Sequence, residues 1–355
     1  MKLSLFFLPT YRPKVSGPAS RFYNEIFAEV EFAEAAGFDR VWFAEHHFFA
    51  YGGAMPSASM MGLAAASRTK RIRIGSGVAL ITLNDPIRVA EEFAMLDVMS
   101  GGRLDFGIGR AFQRVEYDAF NVPMEQSRDR FNEAHEIIIR AWRDEPVSFD
   151  GKFKNLSNVN VIPKPIQRPH PPISVACIFS EESFRFAGSH GYDLMFVPYV
   201  TDREGGMQRM EWYRDALRRA GHDPVAHEIM MPLHFYCGEN PAQARDYPHP
   251  YLSDYLAAAS EANQSDANPS QYANYAGIGN AFAALSSNYE MMYPHNVVFG
   301  DPEGCLRRLE ELAEFGATEV SLISNFGAMP HREVMRSLER FAKSVMPHVR
   351  RSGQP

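Results

Sequence analysis

The sequence predicts an α/β fold: a single (β/α)₈ TIM barrel of 355 residues with insertions. Three observations predict it. Eight short apolar runs alternate with longer helical patterns. Most of the runs are nearly continuous in apolar residues, as strands covered on both faces are. Polar and glycine-rich residues then follow the C-terminal ends of the runs, the end at which such barrels build their sites. A doubly wound open sheet shares the alternation, and strand count alone does not exclude it.

The runs are KLSLFFL (2–8), RVWFA (40–44), RIRIGSGV (71–78), RLDFGIG (103–109), ISVAC (173–177), LMFVP (194–198), IMMPLHFYC (229–237) and EVSLIS (319–324). Between them, residues 20–36 place Phe22, Ile26, Val30 and Ala33 on one face, and Gly37 offers a C-terminal stop. Residues 127–142 align Phe131, Ala134, Ile138 and Ala141, with Ser127 a candidate N-cap. Residues 301–315 and 331–346 supply two further helices, and 56–68 a helix rich in small residues and methionine. Segments 111–126 and 144–171 read as loops; the second, containing VIPKPIQRPHPP, is expected to run extended over the surface. Residues 240–298 are long, polar and outside the repeat, so they are expected to form a mobile lid on one domain spanning 1–355.

Composition is that of an ordinary globular protein, 45% hydrophobic and 22% charged. A net charge of −7, from 36 basic and 43 acidic residues, gives no attraction to nucleic acid or an anionic membrane. Cys177, Cys237 and Cys305 are widely spaced and form no CxxC pair, which favours a reducing, cytoplasmic setting. The apolar start MKLSLFFL reads as a first strand rather than a targeting segment, and no run reaches the ~18 residues of a membrane span.

After the second run stand Glu45, His46 and His47. Adjacent residues on extended chain point to opposite sides, so the two imidazoles do not share a metal ion; one is expected to face the site and exchange protons, the other to pack outward. Gly77 and Val78 close the third run, and Arg110 follows the fourth. After the fifth come Ile178, Phe179, Ser180 and Ser183 at a helix start, where N–H groups, hydroxyls, Arg110 and Arg128 could together hold a phosphate. Taken singly, an N-cap serine or a surface ion pair explains each of these residues as well. Phe48, Phe49, Tyr51 and Met55 suggest an apolar substrate or simply core.

The stretches GFDRVWFAEHHF (37–48), IRIGSGVALITLNDPIRVAEEFAMLDVMSGGRLDFGIGRA (72–111), SRDRFNEAHEIIIRAW (127–142), NVIPKPIQRPHPPISVA (160–176) and FGDPEGCLRRLEEL (299–312) together resemble the bacterial luciferase-like flavin monooxygenases, over essentially the whole chain. The resemblance implies a barrel that binds reduced FMN from a separate reductase and oxygenates a small organic substrate with O₂ through a flavin hydroperoxide. It makes His46 the catalytic histidine, with Glu45 or His47 orienting its surroundings. Arg110 and Arg128 become phosphate ligands, and Gly77-Val78 the site of a non-prolyl cis peptide beside the flavin. CIFSEES departs from the luciferase wording, which leaves Ile178, Phe179, Ser180 and Ser183 open as phosphate contacts; the cysteine that luciferase carries before the phosphate arginine is Gly109 here. Relatives pair through the equivalent of helix 56–68, implying a homodimer. A deazaflavin-dependent oxidoreductase and a non-catalytic flavin binder are the alternatives on the same fold; a metal-dependent hydrolase is disfavoured because its ligands are not assembled.

Overall fold

The computed structural model describes residues 1–264 and 277–352. All eight apolar runs are strands: β1 (Lys2–Phe7), β2 (Arg40–Phe43), β3 (Arg73–Ser76), β4 (Leu104–Gly109), β5 (Ile173–Cys177), β6 (Asp193–Phe196), β7 (Ile229–Cys237) and β8 (Glu319–Ile323). Every neighbouring pair is parallel, and β6 pairing with β7 closes the ring, so the open-sheet alternative falls. The outer helices are α1 (Ala19–Ala36), α2 (Ala58–Arg68), α3 (Pro86–Ser100), α4 (Ser127–Ala141), α5 (Glu181–Ser189), α6 (Arg203–Arg219), α7 (Pro302–Phe315) and α8 (His331–Ser344).

Sequence signals account for the helix ends. Gly37 adopts φ 84° and returns its N–H to Ala33 and Glu34, ending α1 where the glycine predicts. Asp85 and Asp301 cap α3 and α7 ahead of Pro86 and Pro302. Ser127 is different. It is the first residue of α4 rather than its cap, because a 3₁₀ turn at Met124–Gln126 feeds the helix, and its hydroxyl instead receives a hydrogen bond from Arg110.

The N-terminal end of the barrel is closed by charge. Arg40 meets Asp105 at 3.0 Å, Glu228 at 2.5 Å and Glu319 at 2.6 Å, and Arg73 meets Asp105 at 2.7 Å. Trp42 fills the interior above this layer and donates to Glu319. A Cβ on Gly75 would lie 2.0 Å from the Trp42 ring, so the glycine in β3 makes room for the indole. With that end plugged, the C-terminal end is left to hold a ligand.

Three connections differ from the sequence reading. Segment 111–126 is not plain loop but carries a helix, Arg114–Ala119, and the 3₁₀ turn. Segment 144–171 contains an antiparallel hairpin, Val147–Asp150 with Asn155–Val159. The 240–298 insertion holds helices Pro241–Asp246, His249–Ala262 and Ile278–Ser287; its residues 265–276 lie outside the described residues.

Candidate active site

β2 delivers Glu45 and His46 to the barrel mouth, where both are buried. The following loop is pinned by a bridge between Thr10 and Tyr51 and by the His46 N–H donating to the Met55 carbonyl. Helix Arg114–Ala119 then brings Glu116, fully buried, to 3.1 Å from His46 Nδ1; Gln113 Nε2 lies 3.2 Å from the same atom. The Glu116 carboxylate also accepts the His47 N–H. An ionised carboxylate can only accept, so a proton on Nδ1 suits Glu116; it also requires the Gln113 amide to turn its otherwise unpartnered oxygen to the ring, and Nε2 is then the nitrogen left to exchange a proton.

Glu45 and His47, expected to orient this network, make further contacts of their own. Glu45 accepts from the Leu80 N–H and from Asn84, tying down the segment after the cis Gly77–Val78 peptide. The His47 ring packs on Phe48 and Phe120 and is not part of the cavity wall, so the two imidazoles do split, His46 toward the cavity and His47 away.

The second cluster is cationic. Arg110 donates to Ser127, and Arg128 donates to Ser180 at 3.2 Å and Ser183 at 2.9 Å. Ser180 occupies the N-cap position of α5 but makes no side-chain cap bond; its hydroxyl is 2.8 Å from that of Ser183. Two guanidinium groups, two hydroxyls and a helix N-terminus therefore converge, a donor set suited to a phosphate. Glu182 contacts Arg128 Nε at 3.2 Å from an exposed position.

Both clusters border one cavity, which Gly77, Val78, Ile178 and Phe179 also line. Its remaining wall is largely apolar, including Phe6, Leu8, Phe112 and Ile323, with Ile278 and Phe282 contributed by the 240–298 insertion. Of Phe48, Phe49, Tyr51 and Met55, only Tyr51 lines it; Met55 is core and Phe48 is exposed. Cys177 sits in the wall, its thiol pushed up by burial and so inert as a nucleophile. Among the described residues no cluster of His, Cys, Asp and Glu is arranged to hold a metal.

Sequence reasoning missed Glu116 and Gln113. Glu116 had one signal, its three-residue spacing from Gln113 on a helical turn; the segment's polarity hid it.

Against this geometry, the pattern of the family described as luciferase-like monooxygenase matches residues 1–319. The oxygenase component of the flavin-dependent trigonelline monooxygenase of Acinetobacter baylyi is 27% identical, covering 98% of this chain and 95% of that protein. The crystal structure of monooxygenase RslO1 from Streptomyces bottropensis superposes with a TM-score of 0.84 at 31% identity, covering 98% of this chain and 100% of that one. The oxygenating constituent of a Pseudomonas putida 3,6-diketocamphane monooxygenase, solved with FMN, shares the fold, with a TM-score of 0.80 at 19% identity over 98% of both chains. A barrel with this mouth, matched over nine-tenths of its length, belongs to the luciferase-like monooxygenase family.

Proposed function

We propose that this chain is the oxygenase component of a two-component, FMN-dependent monooxygenase acting on a small apolar molecule. The observation that carries the reading is the shared cavity: an arginine and serine anion site at one part of its wall, a carboxylate-paired histidine at another, and apolar side chains between. Reduced FMN, when bound, supplies the electrons that activate O₂. Arg110, Arg128, Ser180 and Ser183 hold its phosphate, with Ile178, Phe179, Gly77 and Val78 shaping the slot. His46 handles a proton at Nε2 while Glu116 fixes Nδ1. The apolar wall excludes water, and the 240–298 insertion acts as the lid of this single domain, placing Ile278 and Phe282 over the substrate.

The name of the Acinetobacter relative, an oxygenase component, supports supply of reduced flavin by a separate reductase. The exposed apolar side chains of Met60 on α2 and of Met95 and Met99 on α3 support a two-fold homodimer through these helices. Buried, unpaired cysteines fit the cytoplasm. Among the described residues no helix is long and apolar enough to cross a membrane.

The test is anaerobic titration with chemically reduced FMN followed by mixing with O₂. Saturable binding and protein-dependent kinetics of flavin reoxidation are expected. A deazaflavin coenzyme also carries a phosphate and would suit the same arginines; no binding of reduced FMN, or reoxidation at the rate of free flavin with protein in excess, would transfer the site to that reading.

A further inference from the structure

A second polar group borders the same cavity and takes no part in the reading above. Around the barrel rim the anion-site residues come from the ends of β4 and β5 and the start of α4. The second group follows β2, β6 and β7. Tyr51 and Tyr199 line the cavity. The Tyr51 ring lies 5.2 Å from that of His46 and 5.3 Å from that of Tyr255, which helix His249–Ala262 inserts into the barrel top. The His234 ring of β7 stands edge-on to Tyr255 at 4.4 Å and lies 6.0 Å from Tyr199.

This group has hydrogen-bonding capacity that the protein leaves unused. His234 is fully buried and neither ring nitrogen has a hydrogen-bond partner. The Tyr255 hydroxyl, also fully buried, lies against that of Tyr51 without forming a bond of normal geometry. Orphaned polar groups at such depth are rare. Neither lines the cavity; they stand behind Tyr51 and Tyr199, which do, so the polar character of this wall continues into the barrel.

The group is polar yet uncharged. Burial drives the His234 imidazolium down to about 3, so the ring is neutral. Burial, opposed by the Tyr255 hydroxyl, raises Tyr51 to about 12, and burial raises Tyr199 further, so both phenols keep their protons and donate. The acidic and arginine side chains in the cavity wall are Glu45, Arg110 and Arg128; the first is bound to Leu80 and Asn84, and the arginines belong to the anion site.

We propose that Tyr51 and Tyr199, backed by Tyr255 and His234, form a specificity subsite that binds an acceptor oxygen, such as a carbonyl, on an otherwise apolar and uncharged substrate. The proposal rests on the cavity being an oxygenase site. A carbonyl accepts from the phenols at little desolvation cost. A carboxylate would lose its hydration with no arginine or lysine opposite it on this wall, and a plain hydrocarbon would leave the phenols unpaired.

The test uses three probes of one size, 2-acetylnaphthalene, 2-ethylnaphthalene and 2-naphthoate, titrated into the protein with and without FMN, with FMN affinity measured on the same samples. The ketone should bind about 3- to 10-fold more tightly than the hydrocarbon, the advantage of a typical net hydrogen bond, and the carboxylate most weakly of all. Tyr51→Phe and Tyr199→Phe should each shrink the ketone's advantage while leaving FMN affinity and hydrocarbon binding unchanged. FMN binding with the ketone no better than the hydrocarbon, with the carboxylate as tight as the ketone, or with none of the three bound, overturns the subsite and leaves the flavin reading standing. The ketone preference in a protein that binds no FMN does the reverse.

Discussion

Arg128 offers the sharpest test of where a cofactor phosphate sits. Its guanidinium reaches Ser180 and Ser183 and contacts Glu182, and its side chain is only 18% exposed, against 65% for Glu182. Truncating one partner of a buried charge pair costs about 2–5 kcal/mol. Partial exposure and the competing Glu182 carboxylate argue for the lower part of that range, about 2–3 kcal/mol. At 1.4 kcal/mol per decade, Arg128→Ala should weaken FMN about 30- to 150-fold. Arg128→Lys should fall between, since an ammonium keeps the charge and loses the fork. Glu182→Gln should tighten FMN by at most about 5-fold, because the ion pair it removes is largely exposed. Quenching of flavin fluorescence measures all three, and riboflavin, which has no phosphate, is the control. Its affinity should not respond to Arg128→Ala. Equal losses for FMN and riboflavin, or no loss for either, would refute the placement of the phosphate.

Further tests address catalysis, packing and pH. His46→Ala should bind FMN normally and lose about 10²–10⁴-fold in product formation, the range for a removed general acid–base. Glu116→Ala should cut product formation at least tenfold and shift its pH profile, again without weakening FMN; an unshifted profile would make Glu116 merely structural. Gly109→Ala should destabilise by about 1–3 kcal/mol in urea unfolding, since the added Cβ would lie 2.4 Å from Val78 Cγ2; an unchanged midpoint would mean that Val78 yields freely. Asp193 is pushed by burial from 3.8 up to about 7. Between those values the folded state keeps a proton that the unfolded chain has lost, so stability falls as pH rises toward 7. Asp193→Asn, keeping the bond from the Glu228 N–H, should flatten that slope; identical slopes would assign the titration elsewhere.

The barrel was legible because every one of its eight strands is buried on both faces, and that leaves a continuous apolar run that periodicity detects. The residues bordering the cavity were legible for a related reason. Glu45, His46, Gly77, Val78 and Arg110 directly follow or close such runs, so reading off the strand ends finds them. What stayed hidden lies one connection further out. Glu116 and Gln113 sit on a short helix whose register depends on how the chain leaves β4, and nothing local marks their side chains as facing His46. Ser127 misled in the same way: a serine before an amphipathic run is normally a cap, but the preceding 3₁₀ turn displaced it to the first helical position and released its hydroxyl to Arg110.

This division has a consequence for how the mouth of the barrel works. Strand ends fix backbone positions to within the stiffness of the sheet, so they suit groups that must meet a cofactor in one geometry. In the proposed function, the connections govern protonation and specificity. Glu116 faces Nδ1 of His46, Glu45 holds the segment after Val78, and Tyr255 and Phe282 arrive from the insertion after β7. Substituting Glu116 or a residue of the insertion should therefore change what reacts, or at what pH, while flavin binding persists. Substituting Arg110, Arg128 or an α5 serine should change flavin binding first, and the FMN and riboflavin comparison separates the two groups.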